Sequence, residues 1–288
     1  MLPENLEIRH VTQNEFEIAA GWAASEGWNP GLEDLPAFYA ADPKGFFMGF
    51  INDIPISSIT AIRYGDDFGF IGFYIVHPEY RGQGIGLATW NMGMAYLKGR
   101  NIGLDGVIDQ QENYKKSGFS FAGRNIRHTG IPKSVITIKN NIEIQDINQT
   151  DLAHLQIYDE IHFPAPRPQF INCWIMNKSS RGRCSKIAIT NDKISGYGAI
   201  RPCRAGYKIG PLFADNDEIA LNLLSSLFET IETDAEISLD TPEGNIAALK
   251  LAKKFGLTPV FETARMYTGV AAKIPLKQIY GITSFELG

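Results

Sequence analysis

The chain has 288 residues, of which 44% are apolar and 20% are charged, and its formal net charge is −5. This composition is typical of a globular protein and excludes a disordered chain. The acidic balance argues against bulk electrostatic binding to nucleic acid. No apolar run reaches the roughly 18 residues of a membrane-spanning helix, and we predict no secretory signal. The three cysteines are an odd number and lack metal-ligand spacing, so we expect a reduced cytoplasmic setting and no bound metal. Because no membrane-spanning run is present in the sequence, we also expect no membrane as a partner.

Apolar residues recur at strand and helix spacing along the first half of the chain. Strands are predicted at 6–11, 45–51, 54–64, 68–76, 103–108 and 119–127. Helices are predicted at 14–25, 35–41, 85–98 and 111–117. Short hairpin-type turns join the strands between 45 and 76, which makes those strands antiparallel neighbours. The pattern therefore predicts a mixed α/β fold with a mostly antiparallel sheet.

A glycine-rich loop joins the fourth predicted strand to the helix that follows it. Gly82, Gly84 and Gly86 let successive backbone N–H groups face one point, and the positive helix end adds to this anion site. Arg81 begins the loop and either shapes it or approaches a phosphate. A dinucleotide-binding loop is the rival interpretation, but it needs a parallel βαβ start. A Walker loop does not fit either, because no Gly-Lys-Ser/Thr sequence closes this one.

Two pairs of distant segments resemble each other at nearly constant spacing. Residues 6–16 align with 142–152 at an offset of 136, and residues 114–119 align with 252–257 at an offset of 138. This spacing predicts an internal duplication. The predicted domains are 1–135 and 140–288, with a boundary in the segment from 131 to 141.

The second copy lacks the anion site of the first. Its corresponding loop contains no glycine, and Asp215, Asp217 and Glu218 place carboxylates where a phosphate would bind. Carboxylates at a helix N-terminus stabilise the helix and repel an anion. Ala252 stands at the position that Tyr114 has in the first copy. We therefore predict that the second domain keeps the fold without a cofactor or a reaction.

These motifs resemble those of the GNAT superfamily of acyl-CoA-dependent N-acyltransferases. The family signature (Gln/Arg)-x-x-Gly-x-(Gly/Ala) is met by Arg81, Gly84 and Gly86, and its Tyr-x-x-x-Gly-Phe begins at Tyr114. The resemblance implies acetyl-CoA as co-substrate. The positions that it implies for binding acetyl-CoA are Tyr74, Ile75, Val76, Arg81, Gly82, Gln83, Gly84, Ile85 and Gly86.

The resemblance also implies a proton donor, and it leaves two positions open. Tyr114 is expected to protonate the departing CoA thiolate, because a phenol stays protonated at neutral pH. The usual asparagine of the same helix is missing, and Gln111 or Asn113 is expected to contact CoA instead. Family members often carry a glutamate base on the central strand, where this chain has Gly72 and Phe73. The neighbouring polar residues, predicted to be solvated turn residues, are Asp34, Asp66, His77 and Glu79.

As a whole, the chain resembles tandem-GNAT proteins with a degenerate C-terminal domain. The resemblance implies acetyl transfer from acetyl-CoA to a primary amine of a small acceptor, in a cleft between the two halves. The candidate acceptor contacts are Trp28, Tyr207, Arg265 and Tyr267. The alternatives are a non-catalytic acyl-CoA sensor and a transferase that uses a different acyl donor. A monomer or a homodimer is expected.

Overall fold

The computed structural model describes residues 2–133, 142–176 and 182–288. Its strands are β1 (Leu6–His10), β2 (Phe46–Ile51), β3 (Ile54–Tyr64), β4 (Phe68–Val76), β5 (Asn101–Val107), β6 (Ser120–Gly130), β7 (Glu143–Asp146), β8 (Cys184–Thr190), β9 (Lys193–Pro202), β10 (Tyr207–Ala214), β11 (Ile237–Pro242), β12 (Thr258–Tyr267) and β13 (Ile279–Gly281). Its α-helices are α1 (Gln13–Ser25), α2 (Leu35–Ala41), α3 (Ile85–Tyr96), α4 (Gln111–Lys116), α5 (Leu152–His162), α6 (Pro168–Met176), α7 (Asp217–Phe228) and α8 (Ile246–Lys254).

The predicted fold class is confirmed. The structure is a mixed α/β fold whose described strand pairs are antiparallel except β4 with β5 and β10 with β11. The predicted bounds of α2, β3 and β4 match those observed. The last strand of the first half was predicted too short, because β6 continues to Gly130, where it pairs with Ile237 of β11. The predicted domain boundary falls largely on residues outside the described ranges.

All the described strands belong to one sheet, in which the two halves of the chain exchange strands. The order is β1-β2-β3-β4-β5-β12-β6-β11-β10-β9-β8-β7, with β13 beside β10. Strand β12 of the second half therefore lies between β5 and β6 of the first half, antiparallel to both. Strand β6 in turn pairs with β11 of the second half. The halves thus share a continuous sheet rather than two sheets that meet at a seam.

The sheet opens at one point in the first half. Strands β4 and β5 pair in parallel only from Phe68 and Asn101 as far as Ile71 and Leu104. Beyond that point β4 keeps its pairing with β3 alone. Phe73, whose φ is 44°, lies at the irregularity in the β3–β4 register. After Ile71, the edge of β4 that faces β5 is therefore free of a strand partner among the described residues.

Buried aromatic and charged side chains hold helices of one half against the other half. Phe38 of α2 stacks on Trp174 of α6 with ring centroids 5.7 Å apart. Asp34, which precedes α2, is 1% exposed and forms ion pairs with Arg183 at 2.7 Å and Arg201 at 2.9 Å. The prediction that Asp34 is a solvated turn residue was wrong. An isolated buried carboxylate is costly, and the two arginines of the second half compensate its charge.

Candidate active site

The gap between β4 and β5 forms a cavity of about 650 Å³. Its walls come from β4, β5, α3, α4 and the segments around Trp28, Phe261 and Phe285. Both halves of the chain therefore contribute to it. The sequence-predicted site residues that line the cavity are Trp28, Tyr74, Ile75, Val76, Arg81, Gly82, Gly86 and Tyr114.

The glycine-rich loop presents free backbone donors at one end of the cavity. Gly82 and Gly84 have φ values of 77° and 81°, a conformation that glycine adopts without strain. The amide of Ala88 is the first of helix α3 to donate within it, to the Gly84 carbonyl at 3.1 Å. In the part of the chain that the structure describes, the amides of residues 82–87 donate to no protein group. Such a group of donors at a helix N-terminus is suited to binding an anion.

Arg81 shapes the loop. Its Nε donates to the carbonyl oxygen of Val76 at 2.9 Å, and its guanidinium forms an ion pair with Glu26 at the end of α1. The sequence left open whether this side chain shapes the loop or approaches a phosphate. Because Nε and Nη2 of the guanidinium already bond within the protein, the structure favours the first role.

The half-buried phenol of Tyr114 lies on the other wall of the cavity. Its ring packs against Trp90 at 5.6 Å, and a Cβ on Gly106 would lie 2.2 Å from the ring, so glycine is needed beneath it. Burial, together with the neighbouring phenol of Tyr74, raises the pKa of Tyr114 well above its ordinary value. The phenol therefore stays protonated at neutral pH and can act as a proton donor, not as a base.

Two predicted positions on α4 lie outside the cavity wall. Gln111 and Asn113 do not line it, and the Asn113 amide instead donates to the side chain of Gln110 at 2.8 Å. The preceding residues Asp109 and Gln110 line the cavity. The helix α4 thus contributes Tyr114 to the site, and the residues just before the helix contribute the rest of this wall.

Three of the four residues predicted to contact the acceptor lie outside the cavity wall. The Tyr207 hydroxyl donates to Glu232 at 2.9 Å, and Tyr267 is buried beside Phe68. Arg265 is also outside the wall, but it donates to both oxygens of the cavity residue Asp105, at 2.8 and 2.6 Å. The positions of Tyr207 and Tyr267 therefore do not support acceptor contact, and Arg265 acts through Asp105.

Two polar residues of the cavity wall come from the second half and were missed by sequence reasoning. Thr263 lies on β12, and Glu286 lies in the buried segment 282–288 after β13. Neither belongs to a local motif, and their distance from the loop along the chain gives no signal. The available hint was the absence of a carboxylate at Gly72 and Phe73 on β4.

The corresponding region of the second half is filled by the protein itself. Where β10 and β11 stop pairing after Ile209 and Leu239, β13 pairs with β10. The helix end is capped by Asn216, whose side chain accepts from the amides of Glu218 and Ile219 at 3.1 and 3.0 Å. In the described structure this half therefore offers no counterpart of the open strand edge and free amides. Of the described residues, no group could hold a metal ion, and no helix is long and apolar enough to cross a membrane.

Family models match both halves of the chain. Residues 7–119 match the model described as the acetyltransferase (GNAT) family, and residues 156–281 match a model described as an acetyltransferase (GNAT) domain. The two matches fall on the two copies that the internal similarity indicates.

Comparisons with whole proteins find similarity along nearly the full chain. A holothin acyltransferase of Pseudoalteromonas sp. (strain SANK 73390) is 31% identical over 274 residues, covering 95% of this chain and 92% of the relative. An acetyltransferase structure from Pyrococcus horikoshii has a TM-score of 0.80 at 20% identity, covering 100% of this chain and 98% of the other. A tandem GNAT protein from the clavulanic acid biosynthesis pathway has a TM-score of 0.62 at 13% identity, with coverages of 92% and 99%.

Proposed function

Because this chain belongs to the GNAT family of acyltransferases, with two GNAT units, we propose that it transfers an acetyl group from acetyl-CoA to a primary amine of a small acceptor. Acyl transfer follows from the family, whereas the acetyl donor and the amine acceptor are the proposal. The observation that carries it is the cavity in which free loop amides, an unpaired strand edge and the half-buried phenol of Tyr114 meet. The relative named for holothin supports an acyl-transfer reaction.

Each part of the cavity fits one part of acetyl-CoA. The amides of residues 82–87 would bind the pyrophosphate. The free edge of β4 at Ile75 and Val76 would bind the pantetheine arm as an added strand. An amide N–H of the same edge would stabilise the oxyanion that forms at the thioester carbonyl. Holding the thioester and the amine in line can itself contribute about 7–11 kcal/mol to lowering the barrier.

Tyr114 would provide the proton that the leaving thiolate needs. Its phenol is protonated at neutral pH and faces the same cavity as the β4 edge. A positioned acid contributes about a hundred- to ten-thousandfold to such a step. A cytoplasmic location is also part of the proposal, supported by three free cysteines. The assembly state stays a prediction of a monomer or a homodimer.

The test is a thiol-release assay with acetyl-CoA and a panel of amines, amino acids, polyamines, aminoglycosides and lysine peptides, joined to calorimetry with acetyl-CoA alone. We expect one binding site per chain and turnover with at least one amine. Acetyl-CoA binding without turnover of any acceptor would favour the sensor. A series of acyl-CoAs of increasing chain length decides the donor, because faster turnover with a longer acyl group would replace acetyl as the transferred group.

A further inference from the structure

Glu286 lines the cavity, and its buried carboxylate has no hydrogen-bond donor among the described residues. The residue is 2% exposed, and neither of its carboxylate oxygens has a partner among residues 2–133, 142–176 and 182–288. It lies beside Gly72 of β4, because a Cβ on Gly72 would stand 1.8 Å from the Glu286 carbonyl oxygen. Burying a carboxylate without hydrogen-bond partners is unfavourable. A residue held in this way needs a cation or donor from elsewhere.

The cations around Glu286 are engaged with other groups. Arg127 donates to both oxygens of Asp240 at 2.7 and 2.8 Å, and Lys208 donates to the Trp28 carbonyl at 3.1 Å. Arg201 donates to Asp34 at 2.9 Å. All three cations attract Glu286 electrostatically. They reduce the cost of its charge but form no hydrogen bond with it among the described residues, and a ligand in the cavity that Glu286 lines is one source of the missing donor.

The side chains that line the cavity with Glu286 indicate which ligand group would fit beside it. The hydroxyl of Thr263, also in the cavity wall and 2% exposed, likewise lacks a partner among the described residues. Trp28, Phe261 and Phe285 line the same region with aromatic surface. A carboxylate and a hydroxyl beside aromatic walls suit a primary ammonium carried on an apolar, flat body.

We propose that Glu286, supplied by the second half of the chain, binds the ammonium group of the acceptor and accepts its proton, and that the acceptor is a primary amine on an aromatic body. This inference rests on the proposed acetyl transfer. It assigns the second half a direct part in chemistry, although that half has no open site of its own. Thr263 is the second contact of the same nitrogen.

Two protons leave the acceptor nitrogen during the reaction. The acceptor nitrogen begins as an ammonium with three hydrogens and ends as an amide with one. Its first proton passes to Glu286, which frees the nitrogen lone pair to attack the thioester carbonyl carbon. When the carbon–sulfur bond breaks, the sulfur takes the phenol proton of Tyr114. The second nitrogen proton replaces the phenol proton, and Glu286 returns its proton to solvent.

The experiment measures binding of 2-phenylethylamine and of its uncharged analogue 2-phenylethanol to the acetyl-CoA-free protein in the presence of CoA. Wild type should bind the amine at least tenfold more tightly than the alcohol. E286Q keeps the shape of the side chain and should bind both about equally. T263V should lose a smaller part of the preference. E262Q, which removes an exposed carboxylate of β12 paired with Arg124, is the matched control and should keep the full preference.

Thiol-release kinetics with 2-phenylethylamine and acetyl-CoA complete the test. E286Q should lower kcat/KM for the amine at least a hundredfold while the acetyl-CoA dissociation constant changes less than threefold. Equal amine preference in wild type and E286Q would overturn the inference and leave Glu286 as a counter-charge for its buried neighbours. The inference would also be overturned if the wild-type protein bound acetyl-CoA but not 2-phenylethylamine. Failure of acetyl-CoA itself to bind would instead reject the proposed function.

Discussion

The backbone of Glu286 packs directly on Gly72 of β4, with no room for a side chain between them. A Cβ built on Gly72 would lie 1.8 Å from the Glu286 carbonyl oxygen and 2.7 Å from its carbonyl carbon. Backbone atoms cannot turn aside as the end of a flexible side chain can. The glycine on the central strand of the first half therefore allows the last described segment of the second half to reach the cavity wall.

Gly72→Ala should lower the free energy of unfolding by at least about 1–3 kcal/mol, because overpacking forces the backbone apart. It should also weaken amine binding, since the displaced backbone carries Glu286. Urea unfolding and 2-phenylethylamine titration measure the two effects. Gly123→Ala on β6 is the control, because a Cβ there meets nothing within 4 Å. Unchanged stability of Gly72→Ala would contradict the close packing.

Much of the local structure could be predicted from the sequence, whereas the exchange of strands could not. The apolar periodicity of β3, β4 and α2 depends on residues that are neighbours along the chain, and those bounds were predicted correctly. Strands β6 and β12 have similar local patterns, so nothing in either sequence indicates which of them pairs with β5. That choice depends on contacts between residues far apart, such as Arg265 with Asp105.

The candidate site likewise has residues that could be predicted from the sequence and residues that could not. The glycine-rich loop and Tyr114 lie in contiguous motifs, and the structure brings both to one cavity. Asp34 and Glu286 gain their surroundings from elements distant in the chain. An aspartate in a turn resembles a solvated residue unless the arginines that bury it are known, and Arg183 and Arg201 come from the other half.

Gly84→Asp should raise the acetyl-CoA dissociation constant at least a hundredfold. The new carboxylate would stand beside the free amides of the loop and repel the pyrophosphate. Gly99→Asp is a matched control, because Gly99 is also exposed with a positive φ, 89° against 81°, at the opposite end of α3. Calorimetry should show loss of binding in Gly84→Asp alone. Equal losses in both variants would mean that backbone strain, not charge, is responsible.

Tyr114→Phe should lower turnover by about ten- to a thousandfold, in or somewhat below the range for a positioned acid, because the leaving thiolate loses its proton donor. The dissociation constant of acetyl-CoA should change little, since the ring and its packing on Trp90 remain. Tyr96→Phe, whose hydroxyl bonds Asp42 outside the cavity, is the control and should keep the wild-type rate. Unchanged turnover of Tyr114→Phe, under conditions where chemistry limits the rate, would remove Tyr114 from the mechanism.

Asp240→Asn should lower the free energy of unfolding by about 3–5 kcal/mol at neutral pH, because it leaves Arg127 buried without its partner charge. Burial alone would raise the pKa of Asp240, but attraction by Arg127 outweighs it and holds that pKa below its ordinary value. The stabilisation is therefore present above the unfolded value of about 4 and is lost as the pH falls through the lower folded value.

Urea unfolding of wild type and Asp240→Asn at several pH values checks this dependence. The difference in stability between the two proteins should be constant from about pH 7 to pH 5 and shrink below about pH 4. Below that pH the carboxyl of the unfolded chain takes up a proton while the folded Asp240 stays ionised, so the contribution of the ion pair falls and is lost once the folded carboxyl is also protonated. A difference that stayed constant down to about pH 3 would show that the pair contributes nothing through its charge.

A fragment of residues 1–139 should aggregate when it is expressed alone. Strand β12, which lies between β5 and β6, and β11, which pairs with the other edge of β6, both belong to the second half. The fragment would therefore expose unpaired strand edges, which associate with other chains. Co-expression with residues 140–288 should restore a soluble complex that binds acetyl-CoA.

As a control, full-length protein cut between residues 133 and 142 after folding should remain one particle in size-exclusion chromatography, because the exchanged strands hold the pieces together. A soluble, monomeric 1–139 fragment with wild-type affinity for acetyl-CoA would show that the first half folds without the strands of the second.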